Sequence, residues 1–473
     1  MLPLCVDLDG TLLPIDTLPE SAVGAFLNDF RVVFRLPGWL LRGKATLKHE
    51  LAARWDFDPA LLPYNNPLLE YLGEQKSRGR MLILATAADA KIAQKIADFL
   101  GLFDEVIASD GASNRGGAAK AAALVERFGP KGFVYAGNES ADVAVWRDAA
   151  AAIVVNASGS VQRAAEAIGP VETVIAPQAK LVRGLVRAMR PYQWVKNLLT
   201  LVPLVCAGAY TDVAGWKAAF AMFAAFCAVA SAIYLLNDIF DLAADRAHSR
   251  KKRRPFASGA VPIMVGLALV PVLFVTGGIF GWLSGAPLPL AVYAVLSLGY
   301  NFKLKEMPLI DILLLAALYS VRLFGGGEAS GYSVSLWLLG FSSFTFLSLA
   351  LIKRVSEMLR LQSQKQKSAA RRGYVTEDIT ILEMMGCASS FTAALVLTLY
   401  VQSDTASHAY VHPKVLWGIV PLMLFWQCRL WLSTARGYMH DDPIIYAARD
   451  WVSWAVLAFL MAIMVTAYLP IRF

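Results

Sequence analysis

Hydropathy divides the chain in two. From residue 1 to about 180, short apolar segments alternate with charged ones; beyond that, apolar runs close to membrane-spanning length recur. About nine spanning helices are expected, over 194–211, 214–236, 260–283, 286–301, 308–328, 333–352, 379–402, 412–432 and 450–470. Charge gathers in the connections after the second, fourth, sixth and eighth: Arg246 to Arg254, Lys303 with Lys305, Lys353 to Arg372, and Arg436 to Arg449. The other connections, such as Leu283 to Pro287 and Glu328 to Tyr332, carry almost none. Basic loops stay on the cytoplasmic side of a membrane. That rule puts the amino-terminal part inside, on a bacterial inner membrane, and Phe473 outside.

The chain's 473 residues exceed what one core usually supports, so two domains are expected, 1–180 and 181–473. A hydrophobic content of 57% and a mean hydropathy of +0.51 exclude an ordinary soluble enzyme. The opening residues, Met1 to Gly10, lack the basic start and long apolar stretch of a signal peptide. The five cysteines (Cys5, Cys206, Cys227, Cys387, Cys428) form no CxxC pair and lie mostly in apolar runs, which argues for reduced packing residues. Net charge is +8, but the basic clusters lie between apolar runs, where topology explains them and a nucleic-acid partner is not expected.

The chemistry of the membrane half centres on Asn237-Asp238-Ile239-Phe240-Asp241-Leu242-Ala243-Ala244-Asp245, between the apolar run Ala218 to Leu236 and the basic run Arg250 to Arg254. Carboxylates spaced by three and four fall on one helix face. Three acids at a membrane boundary need compensation by cations or a watery cavity. Magnesium is the obvious compensator, since it prefers oxygen ligands and bridges carboxylates to substrate phosphates. A solvated helix end is the alternative. A second constellation, Tyr300-x-x-x-Leu304-Lys305 followed by Asp311, falls on the same expected side; Arg322 lies within an apolar run, and Lys353 and Arg354 close another. A cation inside a span needs a partner, either substrate phosphate or a helix acid.

On these residues, about 180–473 resembles the UbiA superfamily of intramembrane prenyltransferases. Asn237-Asp238-x-x-Asp241-x-x-x-Asp245 is similar to its first aspartate motif. Three further segments resemble the decaprenyl-phosphate phosphoribosyltransferase (DPPR synthase) branch: Arg190-Pro191-Tyr192-Gln193-Trp194-Val195-Lys196-Asn197, the Tyr300 to Asp311 segment, and His440-Asp441-Asp442-Pro443-Ile444. Where aromatic prenyltransferases usually carry a second aspartate-rich motif, only Asp311 stands, beside lysines. The resemblance implies an all-α membrane bundle that transfers 5-phosphoribose from phosphoribosyl diphosphate to a polyprenyl phosphate. Asp238, Asp241 and Asp245 would hold Mg2+ on the leaving diphosphate, with Asp311 completing the site. Asn237, Tyr300, Lys196, Lys303, Lys305, Arg322 and Lys353 would line the substrates.

In the amino-terminal half, Leu4-Cys5-Val6-Asp7-Leu8-Asp9-Gly10-Thr11 is an apolar strand followed by DxDGT. Met81 to Thr86 repeats the strand-then-hydroxyl pattern, and Phe133 to Asp142 is a third strand running into polar residues. Open α/β sheets bind ligands beyond the carboxyl ends of their strands, which would gather these clusters. Residues 1–180 thus resemble the haloacid dehalogenase (HAD) phosphatases: a Rossmann-like α/β fold, with the insert between Asp16 and Arg78 as a small helical cap. The resemblance makes Asp7 the nucleophile and Asp9 the general acid and base. Thr86 and Lys120 would bind the phosphoryl group, and Mg2+ would bind Asp7, the Asp9 carbonyl and an acid of the Gly137 to Asp142 loop. That family usually has aspartate where this chain has Asn138, leaving Asp142 as the metal carboxylate. The Gly-rich stretch Ala112 to Ala119 lacks the order of a P-loop and reads as the loop positioning Lys120. Ser158 to Lys180 leads into an amphipathic connector with Arg183, Arg187 and Arg190 toward anionic lipid.

Three readings follow: a bifunctional enzyme that makes polyprenyl-phosphoryl 5-phosphoribose and removes its 5-phosphate; a 4-hydroxybenzoate-type aromatic prenyltransferase with an appended HAD domain; or a transferase whose HAD fold is regulatory. The expected partners are phosphoribosyl diphosphate, a polyprenyl phosphate and the bilayer, with self-association left open.

Overall fold

The computed structural model describes residues 1–176, 181–363, 373–439 and 442–469. The His440 and Asp441 of the expected motif, the 364–372 part of the charged loop, Lys180 and Phe473 fall outside them. The chain forms two compact units, one of Met1–Met189 with Tyr234–Leu269, the other of Arg190–Ile233 with Val270–Phe473.

The first unit is built on a parallel sheet of six strands, β1 (Leu4–Val6), β2 (Leu82–Asp89), β3 (Glu105–Ser109), β4 (Val134–Gly137), β5 (Ala151–Val155) and β6 (Val171–Ile175), in the order β3-β2-β1-β4-β5-β6. Side chains alternate across a strand, and the two faces feed two cores. Leu4, Val6, Leu82, Leu84, Val134 and Ala136 enter one, while Cys5, Ile83, Ala85, Phe133 and Tyr135 enter the other. A sheet covered on both faces is the doubly wound α/β form expected. Val6 pairs with Leu84 on one side and Ala136 on the other, so the three motif-bearing strands are neighbours at the centre of the sheet. Between β1 and β2 the cap is helical, with α1 (Thr17–Asn28), α2 (Val32–Leu41) and α3 (Lys44–Ala52) followed by a helix over Asn66–Ser77.

Among the described residues, seven helices are long and apolar enough to cross a membrane: Val213–Phe240, Ile263–Leu283, Ile310–Ser330, Leu336–Ser363, Thr376–Val401, Pro413–Ala435 and Trp451–Tyr468. They correspond to seven of the nine expected spans. The expected span 286–301 is the 16-residue helix Pro287–Phe302, which at about 1.5 Å per residue reaches about 24 Å, short of an about 30 Å hydrocarbon core. The expected span 194–211 is not one helix. Pro191–Leu201 winds as a 3-10 segment and only Val202–Cys206 is α-helical; Pro203, at their junction, removes the backbone donor that a continuous α-helix would need. In the second unit this segment packs against Ile310–Ser330 at Gly326, where a Cβ would lie 1.9 Å from the Thr200 carbonyl oxygen. Only glycine permits that approach.

Candidate active sites

At the carboxyl ends of β1, β2 and β4 lies a cavity of about 810 Å³ lined by Asp7, Asp9, Thr86, Lys120, Asn138 and Asp142. All six are residues singled out by the sequence motifs, and the strand order brings them together. Lys120, buried on the helix Gly117–Phe128, places its Nζ 2.8 Å from Asp7 Oδ1 and 2.7 Å from the Tyr135 hydroxyl. Tyr135 in turn donates to Asp142 Oδ1 at 2.8 Å, and Asp142 Oδ2 accepts the amides of Asn138 and Glu139 at 2.9 and 3.1 Å. Asp9 Oδ1 and Oδ2 accept the amide and hydroxyl of Thr17 at 2.9 and 3.1 Å, anchoring it to the start of α1. Thr86 accepts the Ala88 amide at 3.0 Å, which orients its hydroxyl at the end of β2.

The charge states suit phosphoryl chemistry. Burial pushes the Asp7 carboxyl up to about 6; Lys120 opposes this and Asp142 adds to it. Burial, then the charges of Asp16 and Asp7, raise Asp9 to about 8, so it holds a proton at neutral pH, as a general acid requires. For Lys120, burial works against the cation, but Asp7 and Asp142 more than offset it and hold its pKa above the ordinary value.

The donors around Asp7 are hard oxygens, which fits magnesium. The Asp142 carboxylate, the expected metal ligand, is already engaged by three donors. Asn138 approaches from the same loop. Thr11 donates to its Oδ1 at 3.2 Å, and its amide fills the space a Cβ on Gly10 would take, 2.1 Å away, where φ is +72°. Among the described residues no group of three or more His, Cys, Asp or Glu side chains is gathered as a metal cage. A cation here would therefore draw on Asp7, the Asp9 carbonyl and Asn138 together.

Two groups in this cavity carried no motif. Lys48 of α3 lines it and donates to the Ala87 carbonyl and Asn114 Oδ1 at 2.6 and 3.0 Å. Ser258, Gly259, Ala260 and Pro262, which follow the basic run, form another wall.

The aspartate motif also belongs to the first unit. Its backbone stays wound, with the Asp241 amide on the Asn237 carbonyl and the Asp245 amide on the Asp241 carbonyl, both at 2.8 Å. Asp238 and Asp245 are buried, and Arg254 Nη1 reaches both, at 3.0 and 2.7 Å. Asp241 and Asn237 are half-buried beside them in the chain. Burial raises the Asp245 carboxyl, and Arg254 opposes the rise. Lys251 also opposes the rise at Asp245, and carboxylate oxygens are the hard donors that suit a divalent cation. One turn on, Arg246 makes a buried two-pronged pair with Glu20 of α1 at 2.7 and 2.6 Å and donates to the Ala257 carbonyl at 3.1 Å.

In the second unit three of the five expected phosphate-binding cations, Lys196, Arg322 and Lys353, come together. Lys196 lies 2.6 Å and Lys353 3.5 Å from one oxygen of Asp442. Arg322 is buried with neutral partners: Asn197 Oδ1 at 2.7 Å, the Tyr293 hydroxyl at 2.9 Å and the Leu318 carbonyl. Lys196 and Arg322 both lie 5.8 Å from the centre of the Tyr319 ring. The sequence flagged Asp442 only as part of a motif; here it holds two lysines. Asp311 is fully buried, with one oxygen taken by Arg354 and the other accepting from Tyr374 at 2.7 Å. It is thus occupied as an internal ion pair. Tyr300 packs against the core formed by those helices, Lys305 is buried and Lys303 is exposed.

A sequence model of the UbiA prenyltransferase family matches residues 197–440. Over 473 residues the chain is 35% identical to the uncharacterized protein y4nM of Sinorhizobium fredii, covering 98% of this chain and 91% of that protein, so that relative shares both halves. Decaprenyl-phosphate phosphoribosyltransferase of Mycolicibacterium smegmatis is 40% identical over 190 residues, which cover 38% of this chain and 59% of that protein. Among solved structures, a UbiA homologue from Archaeoglobus fulgidus bound to GPP and Mg2+ aligns at 14% identity with a TM-score of 0.48, over 60% of this chain and 99% of that one.

Proposed function

The chain belongs to the UbiA prenyltransferase family, and from that premise we propose a bifunctional enzyme of lipid-linked pentose synthesis. The membrane half (181–473) transfers 5-phosphoribose from phosphoribosyl diphosphate to a polyprenyl phosphate. The amino-terminal HAD-type domain (1–180) then removes the 5-phosphate. The observation that carries this reading is the cluster at Tyr319, where Lys196 and Lys353 pair with Asp442 and Arg322 lies beside the same ring, so that among the described residues three cations stand near one acid. Surplus cations in an apolar interior call for an anionic ligand, and both proposed substrates bring phosphates. The similarity to decaprenyl-phosphate phosphoribosyltransferase supports the choice of donor.

In the transfer, an oxygen of the lipid phosphate attacks the anomeric carbon, and the bond from that carbon to the diphosphate oxygen breaks with its electron pair. Asp238, Asp241 and Asp245 would hold magnesium, which supplies charge neutralisation for the leaving diphosphate. Positioning by the lysines and Arg322 does the rest. In the hydrolysis, an Asp7 oxygen attacks phosphorus, the bond to the sugar oxygen breaks, and Asp9 gives that oxygen its proton. Asp9 then takes a proton from water, which attacks the aspartyl-phosphate and releases inorganic phosphate. Lys120 and Thr86 hold the phosphoryl oxygens; Asp7, the Asp9 carbonyl and Asn138 would hold magnesium, which supplies charge neutralisation when bound. Both sites face the cytoplasm of a bacterial inner membrane, following the basic loops.

Membranes containing the protein, given labelled phosphoribosyl diphosphate and a polyprenyl phosphate, should form lipid-linked phosphoribose and then its dephosphorylated form. Asp238→Asn or Asp241→Asn should abolish both. Transfer of a prenyl group to 4-hydroxybenzoate without any phosphoribosyl product would overturn the assignment.

A further inference from the structure

The cap helix α2 is apolar on two faces, and only one of them is used. Val32 and Trp39, with Leu36 beside them, pack into a small core with Ala25 and Leu51. On the opposite face, Phe30 in the turn leading into the helix, then Val33, Phe34, Leu40 and Leu41, are exposed at 63%, 46%, 79%, 55% and 89%. Spacings of three, four and seven put these residues on one continuous stripe. Arg31, Arg35 and Arg42 are exposed along the flank of that stripe. An apolar stripe beside a row of arginines is the signature of a helix that lies in the headgroup region of a bilayer. A contiguous exposed patch of this size otherwise marks a binding surface.

Within the first unit the cap adjoins the ends of long apolar helices. Phe26 of α1 meets Phe240, the last residue of the spanning helix Val213–Phe240, with ring centres 5.9 Å apart. The cavity wall Ser258 to Pro262 ends one residue before the spanning helix Ile263–Leu283. Leu181, on the cavity rim, opens a second amphipathic helix (Leu181–Met189) that exposes Val182 and Val186 beside Arg183 and Arg187.

We propose that α2 docks its Phe30/Val33/Phe34/Leu40/Leu41 stripe into the surface of an anionic bilayer, holding the cap at the membrane so that the phosphatase cavity receives a phosphomonoester still attached to its lipid. The lipid surface is favoured over a second copy of the chain by the arginine row, which matches anionic headgroups and would repel its own image across a two-fold contact. The functional half of the proposal rests on the phosphatase reading above; the docking half does not.

The full-length protein in nanodiscs, carrying an environment-sensitive fluorophore at position 34 or at the exposed control position Gln94, separates the two. Docking predicts blue-shifted emission at position 34 that is quenched by nitroxides on the acyl chains and strengthened by anionic lipid, with water-like emission at position 94. Water-like emission at both positions overturns docking, and so does a shift that follows protein density instead of anionic lipid, which would assign the stripe to a second copy. Phe34→Ser with Leu41→Ser changes only exposed side chains. It should lower kcat/KM for a lipid-linked phosphomonoester by about tenfold, through lost effective concentration, and leave hydrolysis of a water-soluble phosphomonoester within about twofold. Equal rates of lipid-substrate hydrolysis in variant and wild type would overturn the functional half. Failure of the wild type to hydrolyse any phosphomonoester would instead overturn the phosphatase reading, while the fluorescence still decides the docking.

Discussion

Replacing Arg246 by methionine should destabilise the amino-terminal domain by an amount that depends on pH, and the structure sets its size. Glu20 and Arg246 are both buried and joined through both pairs of atoms. Burial raises the Glu20 carboxyl above its ordinary value of 4.5, and the hydrogen bond and charge of Arg246 pull it back without restoring it. Desolvation therefore outweighs the pairing, as is common for enclosed ion pairs. Without Arg246 the carboxylate is stranded, and its escape is to take up a proton. At pH 7 that means protonating a group with an ordinary pKa of 4.5, at about 1.36 kcal/mol for each pH unit, or about 3.4 kcal/mol in all. At pH 5.5 the same step costs only about 1.4 kcal/mol.

The sign follows from linkage. A carboxyl whose folded pKa lies above its unfolded value stabilises the fold below that unfolded value and loses the contribution as pH rises through the folded one. Arg246→Met removes the opposing cation and widens that window upward. The variant should thus lie about 3 kcal/mol below wild type at pH 7 and recover about 2 kcal/mol by pH 5.5. Hydrogen exchange of the β1 and β4 amides in the full-length protein, corrected for intrinsic rates, measures both values. Adding Glu20→Met should restore most of the loss, because two apolar side chains leave no stranded charge. A cost equal at both pH values, or a double variant no more stable than Arg246→Met, would refute the argument.

Asp7→Asn should leave the transferase active and let the phosphorylated lipid accumulate; an unchanged ratio of phosphorylated to dephosphorylated lipid, read by chromatography of the labelled products, would remove the phosphatase assignment. Ser249→Cys, exposed in the basic loop, should resist a membrane-impermeant thiol reagent added outside intact cells, and modification there would invert the topology. Asn138→Asp should lower the magnesium concentration needed for half-maximal phosphatase activity by about tenfold, since a carboxylate replaces an amide at a hard-cation site; an unchanged requirement would place the metal away from that loop.

The cavity of the first unit was legible because its motif residues sit toward the carboxyl ends of the strands. Once β1, β2 and β4 are adjacent, Asp7, Thr86 and Asn138 meet without further information. What escaped the sequence comes from contacts that periodicity does not encode. The run Arg250 to Arg254 reads as a cytoplasmic loop, and charge counting cannot tell that Arg254 turns back to hold Asp238 and Asp245. Hydropathy likewise counted 194–211 as a span, although Pro203 falls where the 3-10 segment gives way to a short α-helix. The cap insert was rich in helix formers, but only its burial shows that α2 spends one apolar face and leaves the other open.

The same limit explains why the acids of the membrane half look alike in sequence and differ in what they can do. Each is a carboxylate at or near an apolar run, and hydropathy charges all of them the same penalty. Their surroundings separate them. Asp311 is fully buried and engaged on both oxygens by Arg354 and Tyr374, so no ligand can reach it without breaking an internal pair. Asp442 faces Lys196 and Lys353, and Arg322 nearby has neutral partners among the described residues, an arrangement that favours an anion. Asp238 and Asp245 both reach Arg254 and present hard carboxylate oxygens, which favour a divalent cation.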